Sequence, residues 1–476
     1  MLTYQDYETA LAAGELTRFV EQVISDHKQS EMYKTAIDAD AYDHQRNTTI
    51  LTFVSEVKRR RNQAFTQDIK IPCNLFRRLN KQRCTYLLGN GVSFTNVELR
   101  PDPETGELVL VDLTKEQLGS HFDADVYTWA YKALIHGESY GYWTPDRIYN
   151  FPVTQFAPLR DEESDAVRAG VRFWRIDPAK PLFAELYTEA GIYYFRSGTA
   201  TGNRLELTDP NPTPYLLTTA STEARGEWIT GEQNYSTLPV IPMYGSDLHQ
   251  STLVGMKARI DAIDMVSSGF ARDVRDCAKI YWLVENCGGM EQKDLDKFLD
   301  DILEYHIAQV DSTSFSGDTR AALTPYVQDV PVNSSTAFLK QATEALYQDF
   351  GALDVHAIGA NSTNDHLDAA YQPLDEETDE FEREVSTAIK AGLTLMGIDD
   401  DPKYKRNRVV NESEYNTMIL NAANIIGTNM ALKKLTFLDP DEVEEVEQQV
   451  YADGLDRLKA PENEPQTPAD ESAAAE

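Results

Sequence analysis

Apolar positions recur every three or four residues along most of this chain and switch to every second residue in one region, between about residues 171 and 244. Before that region, Leu16, Phe19, Val20 and Val23, then Ile50, Phe53, Val54 and Val57, fall at helical spacing, so residues 1 to 66 read mostly as helix. A short extended lead-in follows, then a helix from about Asn74 that stops at Gly89, Asn90 and Gly91. Another helix over 125 to 136 closes on Gly137 and leads into a strand-like run at 139 to 143. Within the period-two region, 171 to 176, 182 to 187 and 192 to 195 read as strands. The turn at 188 to 191 makes the last two a hairpin. A polar, proline-containing loop region comes next, and a run at 238 to 244 ends the β part.

The pattern from residue 253 onward is the most regular. Leu253, Met256, Ile260, Ile263, Val266, Phe270 and Val274 step by threes and fours along one stripe, with Lys257, Asp261, Asp264, Arg272 and Arg275 read onto other faces. A helix over 253 to 276 would span about 36 Å. A small unit follows: a strand at 279 to 284, a helix at 295 to 307 with Phe298, Leu299, Ile302 and Leu303 inward, and a strand at 323 to 332. A second long helix, 335 to 353, carries Leu339, Leu346 and Leu353 at heptad spacing, with Ala342 and Ala345 beside them. After a loop at 354 to 366, a helical run reaches Met396 with Phe381, Val385, Ile389, Leu393 and Met396 as its stripe. Pro373 is expected to kink or restart it. Residues 410 to 460 read as helix, and 461 to 476, with three prolines, five acids and no base, as a disordered tail. The fold class expected is α+β, with no internal repeat.

Charge narrows the function classes. The 476 residues hold 44 Lys and Arg against 78 Asp and Glu, a net of -34, so the bulk surface repels DNA and anionic membranes. The exception is a basic island between Glu56 and Arg83, with nine cations and two acids. It reads either as salt-bridge donors for acidic surfaces or as a nucleic-acid patch. No apolar run is long enough to span a membrane, and the acidic start lacks the basic region of a signal peptide, which predicts a cytosolic protein. Cys73, Cys84, Cys277 and Cys287 have neither metal-knuckle nor disulfide-framework spacing and read as reduced thiols. A phosphate-cradling loop is missing, since Gly89-Asn-Gly91 has no Lys after it, and no His-Glu-x-x-His occurs. His356 and His366 flank one loop without further ligands nearby in sequence. The expectation is no catalytic residue, no metal and no cofactor. A carboxylate-dependent hydrolase with a β-rich substrate domain is the alternative, suggested only by the number of acids and the 24 tyrosines.

Five segments in this order resemble the phage portal proteins of the SPP1 type over roughly residues 60 to 400. They are Ile71-Pro-Cys-Asn with Tyr86-Leu-Leu-Gly-Asn90; Leu134-Ile-His-Gly-Glu-Ser-Tyr140; Ala184 to Tyr194; Leu238-Pro-Val-Ile-Pro242 before the long helix; and Gly359-Ala-Asn-Ser-Thr363. The chain departs from the family at Thr363-Asn-Asp-His-Leu-Asp368, where the family is often apolar and then Ala-Leu-Lys.

The resemblance implies a ring, usually of twelve subunits, at one capsid vertex of the virion, through which double-stranded DNA is packaged and ejected. The ring would be assembled in the host cytoplasm without a membrane. The implied parts are an N-terminal arm and wing (1–250), a first stem helix (251–276), a clip (277–333), a second stem helix (334–353), a tunnel loop (354–366), a long kinked helix (367–398), a helical crown (399–460) and the acidic tail (461–476). The implied partners are the terminase large subunit, the major capsid and scaffolding proteins, and a head-completion adaptor.

Three groups of residues would then carry function. Leu253, Met256, Ile260, Ile263, Phe270, Leu339, Leu346 and Leu353 would pack the stem. Asp294, Asp296, Asp300, Asp301 and Glu304 would meet the motor, or else form a solvated helix face. His356, Asn361, Ser362, Thr363, Asn364, Asp365 and His366 would face DNA, or else form an ordinary helix connection. The acidity itself fits a channel that slides over phosphates, and it also fits mere solubility.

Overall fold

The computed structural model describes residues 2–53, 69–101, 108–199, 202, 204–222, 226–277, 281–285, 307–310, 323–326, 332–354, 364–408, 412–426, 431, 432, 434 and 446. The chain divides into two compact units, one of Met1–Asp354 with Gln372–Asn407 and the other of Val355–Tyr371 with Arg408–Glu476.

The first unit begins with α1 (Tyr4–Ala13), α2 (Leu16–Gln29), α3 (Glu31–Asp43) and α4 (Thr48–Thr52). Three of the four starts are written in short polar residues: Thr3 and Asp6 form a capping box at α1, Ser30 caps α3 and Asn47 caps α4. Then come α5 (Leu75–Leu88), β1 (Val92–Ser93), the hairpin β2 (Val97–Pro101) and β3 (Leu108–Asp112), α6 (Leu113–Leu118) and α7 (Phe122–His136).

Two antiparallel sheets follow. In the smaller, β4 (Glu138–Trp143) lies between β13 (Val240–Tyr244) and β5 (Ile148–Pro152). The larger is a meander of β6 (Phe156–Arg160), β7 (Val167–Trp174), β8 (Phe183–Thr188), β9 (Gly191–Ser197) and β10 (Leu205–Leu207). The stripe of α2 (Phe19, Val20, Val23, Ile24) is buried on this sheet against Leu159, Val171, Leu186 and Phe195. Helix α7 forms the centre of the second core, where Trp129, Ala130, Ala133 and Leu134 meet Trp143, Met243 and the row Phe381, Val385, Ile389 and Leu393. That row lies on α10 (Asn364–Leu395).

Several expectations need correction. Helix α10 does not restart at Pro373, which lies inside it. Proline there gives up one helical hydrogen bond, but its ring is exposed while Tyr371 and Leu374 beside it are buried, so packing holds the turn. The supposed polar loop after β9 contains β10 and the hairpin β11 (Leu216–Thr222) and β12 (Gly226–Gln233). Runs such as Thr-Thr-Ala-Ser-Thr are polar on both faces and hide the two-residue period.

Beyond residue 277, β14 (Tyr281–Glu285) pairs parallel with β15 (Ile307–Val310) and antiparallel with β16 (Leu323–Tyr326). Ile307, expected to end a helix, begins a strand, and Val332, expected to end a strand, begins a helix. The remainder of that expected helix lies outside the described residues. The short strand β17 (Lys403–Tyr404) pairs with β1. In the second unit, α11 (Glu412–Ile426) contributes Ile419 to a small cluster with Ala431, Tyr415 and Leu432.

Candidate functional site

The two longest apolar patterns after residue 250 form a helix pair. Helix α8 (Leu253–Cys277) and α9 (Val332–Phe350) pack on each other, and Arg259 of α8 reaches Asp349 of α9 at 2.7 Å. The start of one therefore meets the end of the other, an antiparallel arrangement. Leu253, Met256, Ile260 and Ile263 share a buried cluster with Leu346, Tyr347 and Phe350, floored by Phe76 and Leu79 of α5 and Tyr42 of α3. Leu353 is also buried but lies past the end of α9. Phe270 and Leu339 are only partly covered, and Val274 at the far end of the stripe is 49% exposed. The seam is thus closed at the end near the body and open toward the far end.

The stripe is not purely apolar. Asp264, expected on an outer face, is 1% exposed. It sits four residues after Ile260 and four before Ser268, on the row that faces α4 and α5. One of its oxygens accepts the backbone N–H of Cys73 at 2.9 Å and the other accepts Asn47 Nδ2 at 2.8 Å. Asn47 Oδ1 in turn accepts the amide of Ile50 at 3.0 Å, and the Tyr42 hydroxyl lies within bonding reach of both Asn47 and Asp261. Ser268 Oγ accepts the amide of Ile71 at 2.9 Å, and Lys257 pairs with Asp38.

Burial raises the Asp264 carboxyl above its ordinary range against these bonds. Burial, then the Asp264 charge, pushes the Cys73 thiol up to about 12, which leaves it no nucleophilic role at neutral pH. The arrangement pins the first long helix to the N-terminal arm and performs no chemistry.

A second anchor holds the end of α9. Arg83 of α5, almost fully buried, donates to the carbonyl of Phe350 at 2.6 Å and pairs with Glu377 at 2.9 Å, while its guanidinium lies 4.2 Å from the Phe350 ring centre. Gln82 donates to the carbonyl of Leu353 at 2.9 Å. Gly351 takes φ +63, and a Cβ there would meet Glu377 at 2.5 Å. Carbonyls left without a partner at this helix end are satisfied by side chains.

The described part of the basic island behaves similarly. Lys70 donates to the carbonyls of Leu51 and Phe53, Arg77 pairs with Asp43 at 3.1 Å, and Arg78 lies over Tyr347. Lys70 and Arg77 thus meet carbonyls and an acid of the same chain, and Arg78 an aromatic ring. Residues 58 to 61 lie outside the described residues.

Of the expected DNA-facing loop, His356, Asn361, Ser362 and Thr363 lie outside the described residues. Asn364, Asp365 and His366 belong to the first turn of α10 and are not loop, a correction consistent with the preference of acidic and short polar residues for helix starts. Asp294, Asp296, Asp300, Asp301 and Glu304 all lie outside the described residues. Sequence reasoning missed Asn47, Arg83 and Ser268. The available signal was the i, i+4 row Ile260, Asp264, Ser268, which continues the buried stripe in polar residues.

Among the described residues, no group of three His, Cys, Asp or Glu could hold a metal ion, and no helix is long and apolar enough to cross a membrane. The fold is that of a mixed α+β subunit organised around an anchored pair of long helices. The family described as "Phage portal protein, SPP1 Gp6-like" matches residues 22–450, and the chain belongs to it.

A "Portal protein" of Clostridium phage phiCD119 is 28% identical over 231 residues, 46% of this chain and 49% of that protein, so the match spans about half the length of this curated relative. A chain from the neck of an empty GTA particle, computed with C6 symmetry, aligns with 79% of this chain and 90% of its own length at 11% identity and a TM-score of 0.35. Membership implies a structural rather than an enzymatic protein, oligomeric and located at the phage capsid vertex. The hydrolase alternative finds no support.

Proposed function

We propose that this chain is the subunit of a closed portal ring, about twelve copies around a channel, through which double-stranded DNA is packaged and ejected. Helices α8 and α9 form the stem, residues 278–331 between them the clip that meets the terminase large subunit, and 355–363 the loop nearest the DNA. Residues 399–460 form the crown, and capsid, scaffolding and head-completion proteins bind the outer parts. The acids at 294, 296, 300, 301 and 304 are the proposed motor contact.

The observation that carries this reading is the helix pair itself. It is fixed by Asp264 near the middle of α8 and by Arg83 at the end of α9, yet it exposes large apolar side chains along its length, among them Val254 and Met265 on α8 and Val332 and Phe338 on α9. In a single chain these face solvent. In a ring the same side chains are buried by the neighbouring pair, and every subunit is satisfied alike. The net charge of -34, repeated around a channel, repels phosphates and lets the duplex slide.

The test is DNA packaging by rings carrying Asn361→Lys and Ser362→Lys. Assembly should be normal and packaging slow, with recovery as salt screens the new contacts. Packaging at the normal rate at low salt would remove the loop from the DNA path.

A further inference from the structure

The five-stranded sheet ends on β10, an edge strand of three residues, and α2, which packs across the sheet, reaches that edge. Positions 18, 21, 25 and 28 of α2 are spaced three, four and three, so Arg18, Glu21, Ser25 and Lys28 share one helix face. This face, with β10 and the approach to β8, encloses a groove of about 800 Å³. Its floor is Ile24, Leu182 and Leu205, all buried, and its rim carries Arg18, Lys28 and Arg204. The acid in its lining, Glu21, is already committed, accepting the outward amide of Leu205 at 2.6 Å. Arg18 has a loose contact of 3.8 Å with Glu15, both side chains well exposed. Burial, with Arg175 nearby, disfavours the charged form of Lys28, whose ammonium lies 5.1 Å over the Phe173 ring. An arriving anion would relieve that cost.

We infer that this groove docks an extended, acidic peptide segment of a partner protein. The charge complementarity is local and contrary to the whole: three cations surround an apolar floor on a chain of net charge -34. The geometry suits a strand-like segment. Ten helix positions from Arg18 to Lys28 cover about 15 Å, the length of roughly five extended residues. In such a segment alternate side chains point to opposite sides, so carboxylates reach the cationic rim while the residues between them rest on Ile24, Leu182 and Leu205. Glu21 on Leu205 shows the kind of group that suits this edge. A duplex fits less well, because the lining offers no aromatic face and the surrounding charge is repulsive.

The inference does not depend on ring formation. Its test uses the full chain and a fluorescein-labelled peptide Glu-Leu-Glu-Leu-Glu, with the Gln-Leu-Gln-Leu-Gln analogue as control, read by anisotropy. The acidic peptide should bind and the analogue should not. Affinity should fall at least about tenfold in the double variant Arg18→Glu, Arg204→Glu and in 0.5 M salt. Both arginines are exposed, so the variant should keep the fold by circular dichroism, and Lys28→Met supplies a second, independent loss. Equal affinity in the charge-reversed variant, no binding of the acidic peptide at millimolar concentration, or a duplex oligonucleotide that binds with the same sensitivity to reversal would each overturn it. Light scattering on the same variants reports assembly separately, so failure of the groove and failure of the ring are distinguishable.

Discussion

Replacing Leu346 with alanine tests whether the anchored end of the helix pair holds the long helices in place. Leu346 is 1% exposed and packs in one cluster with Ile260, Ile263, Phe76 and Leu79, so truncation removes buried methyl groups and leaves a cavity that rigid helices on three sides cannot fill. Comparable truncations cost about 2 to 5 kcal/mol, and a site so enclosed should cost about 3. Leu339, one heptad earlier, is only partly buried in the single chain, and its truncation should cost about 1 kcal/mol or less. The assay is amide hydrogen exchange on the dilute, unassembled chain, read over residues 342 to 350. Three kcal/mol appears there as exchange roughly a hundredfold faster, against less than about tenfold for Leu339→Ala. If Leu339→Ala accelerates exchange as much as Leu346→Ala, the seam is not closed at the body end and the packing argument fails.

Three further outcomes are expected. Arg83→Met should leave the Phe350 carbonyl unsatisfied and cost about 1 to 3 kcal/mol, with faster exchange at residues 350 to 354; unchanged exchange there would show that Arg83 is not the anchor. Burial works to raise the Asp40 carboxyl, but the hydrogen bond and charge of His136 and the Lys132 ammonium hold it down at about 2, below its ordinary 3.8. A depressed carboxylate stabilises above its unfolded value and loses that contribution as pH falls through its folded one. Asp40→Asn should therefore cost on the order of 2 kcal/mol at pH 6 in urea unfolding, and the difference should vanish near pH 2; a difference that persisted there would contradict the pairing. Gly392 on α10 lies so close to Trp143 that a Cβ would come within 2.1 Å of its ring, so Gly392→Ala should lower the melting temperature by overpacking, at about 1 to 3 kcal/mol; a neutral result would contradict this packing.

What the sequence made legible followed periodicity. The stripe of α8 and the heptad row of α9 were readable because their apolar spacing is long and regular, and helix α5 because glycine closes it. The hairpin β11–β12 was not readable, because polar residues on both faces erase a two-residue period. Pro373 left a kink or a restart open, and the burial of its neighbours keeps the helix from restarting there. Asp264 misled because a carboxylate belongs on the surface unless partners from distant segments satisfy it, and Asn47 and the Cys73 amide are 217 and 191 residues away in sequence. Tertiary partners of that kind leave no trace in local spacing. The cations at Arg77, Arg78 and Arg83 showed the same limit, since their number was evident and their targets were not.

The most direct measurement is the mass of the purified, full chain in solution by native mass spectrometry, with electron microscopy of the same sample. A closed ring predicts a particle near twelve times the 53.6 kDa chain, with an open central channel. A species that remains at 53.6 kDa at tens of micromolar, with no rings in the images, would contradict the account.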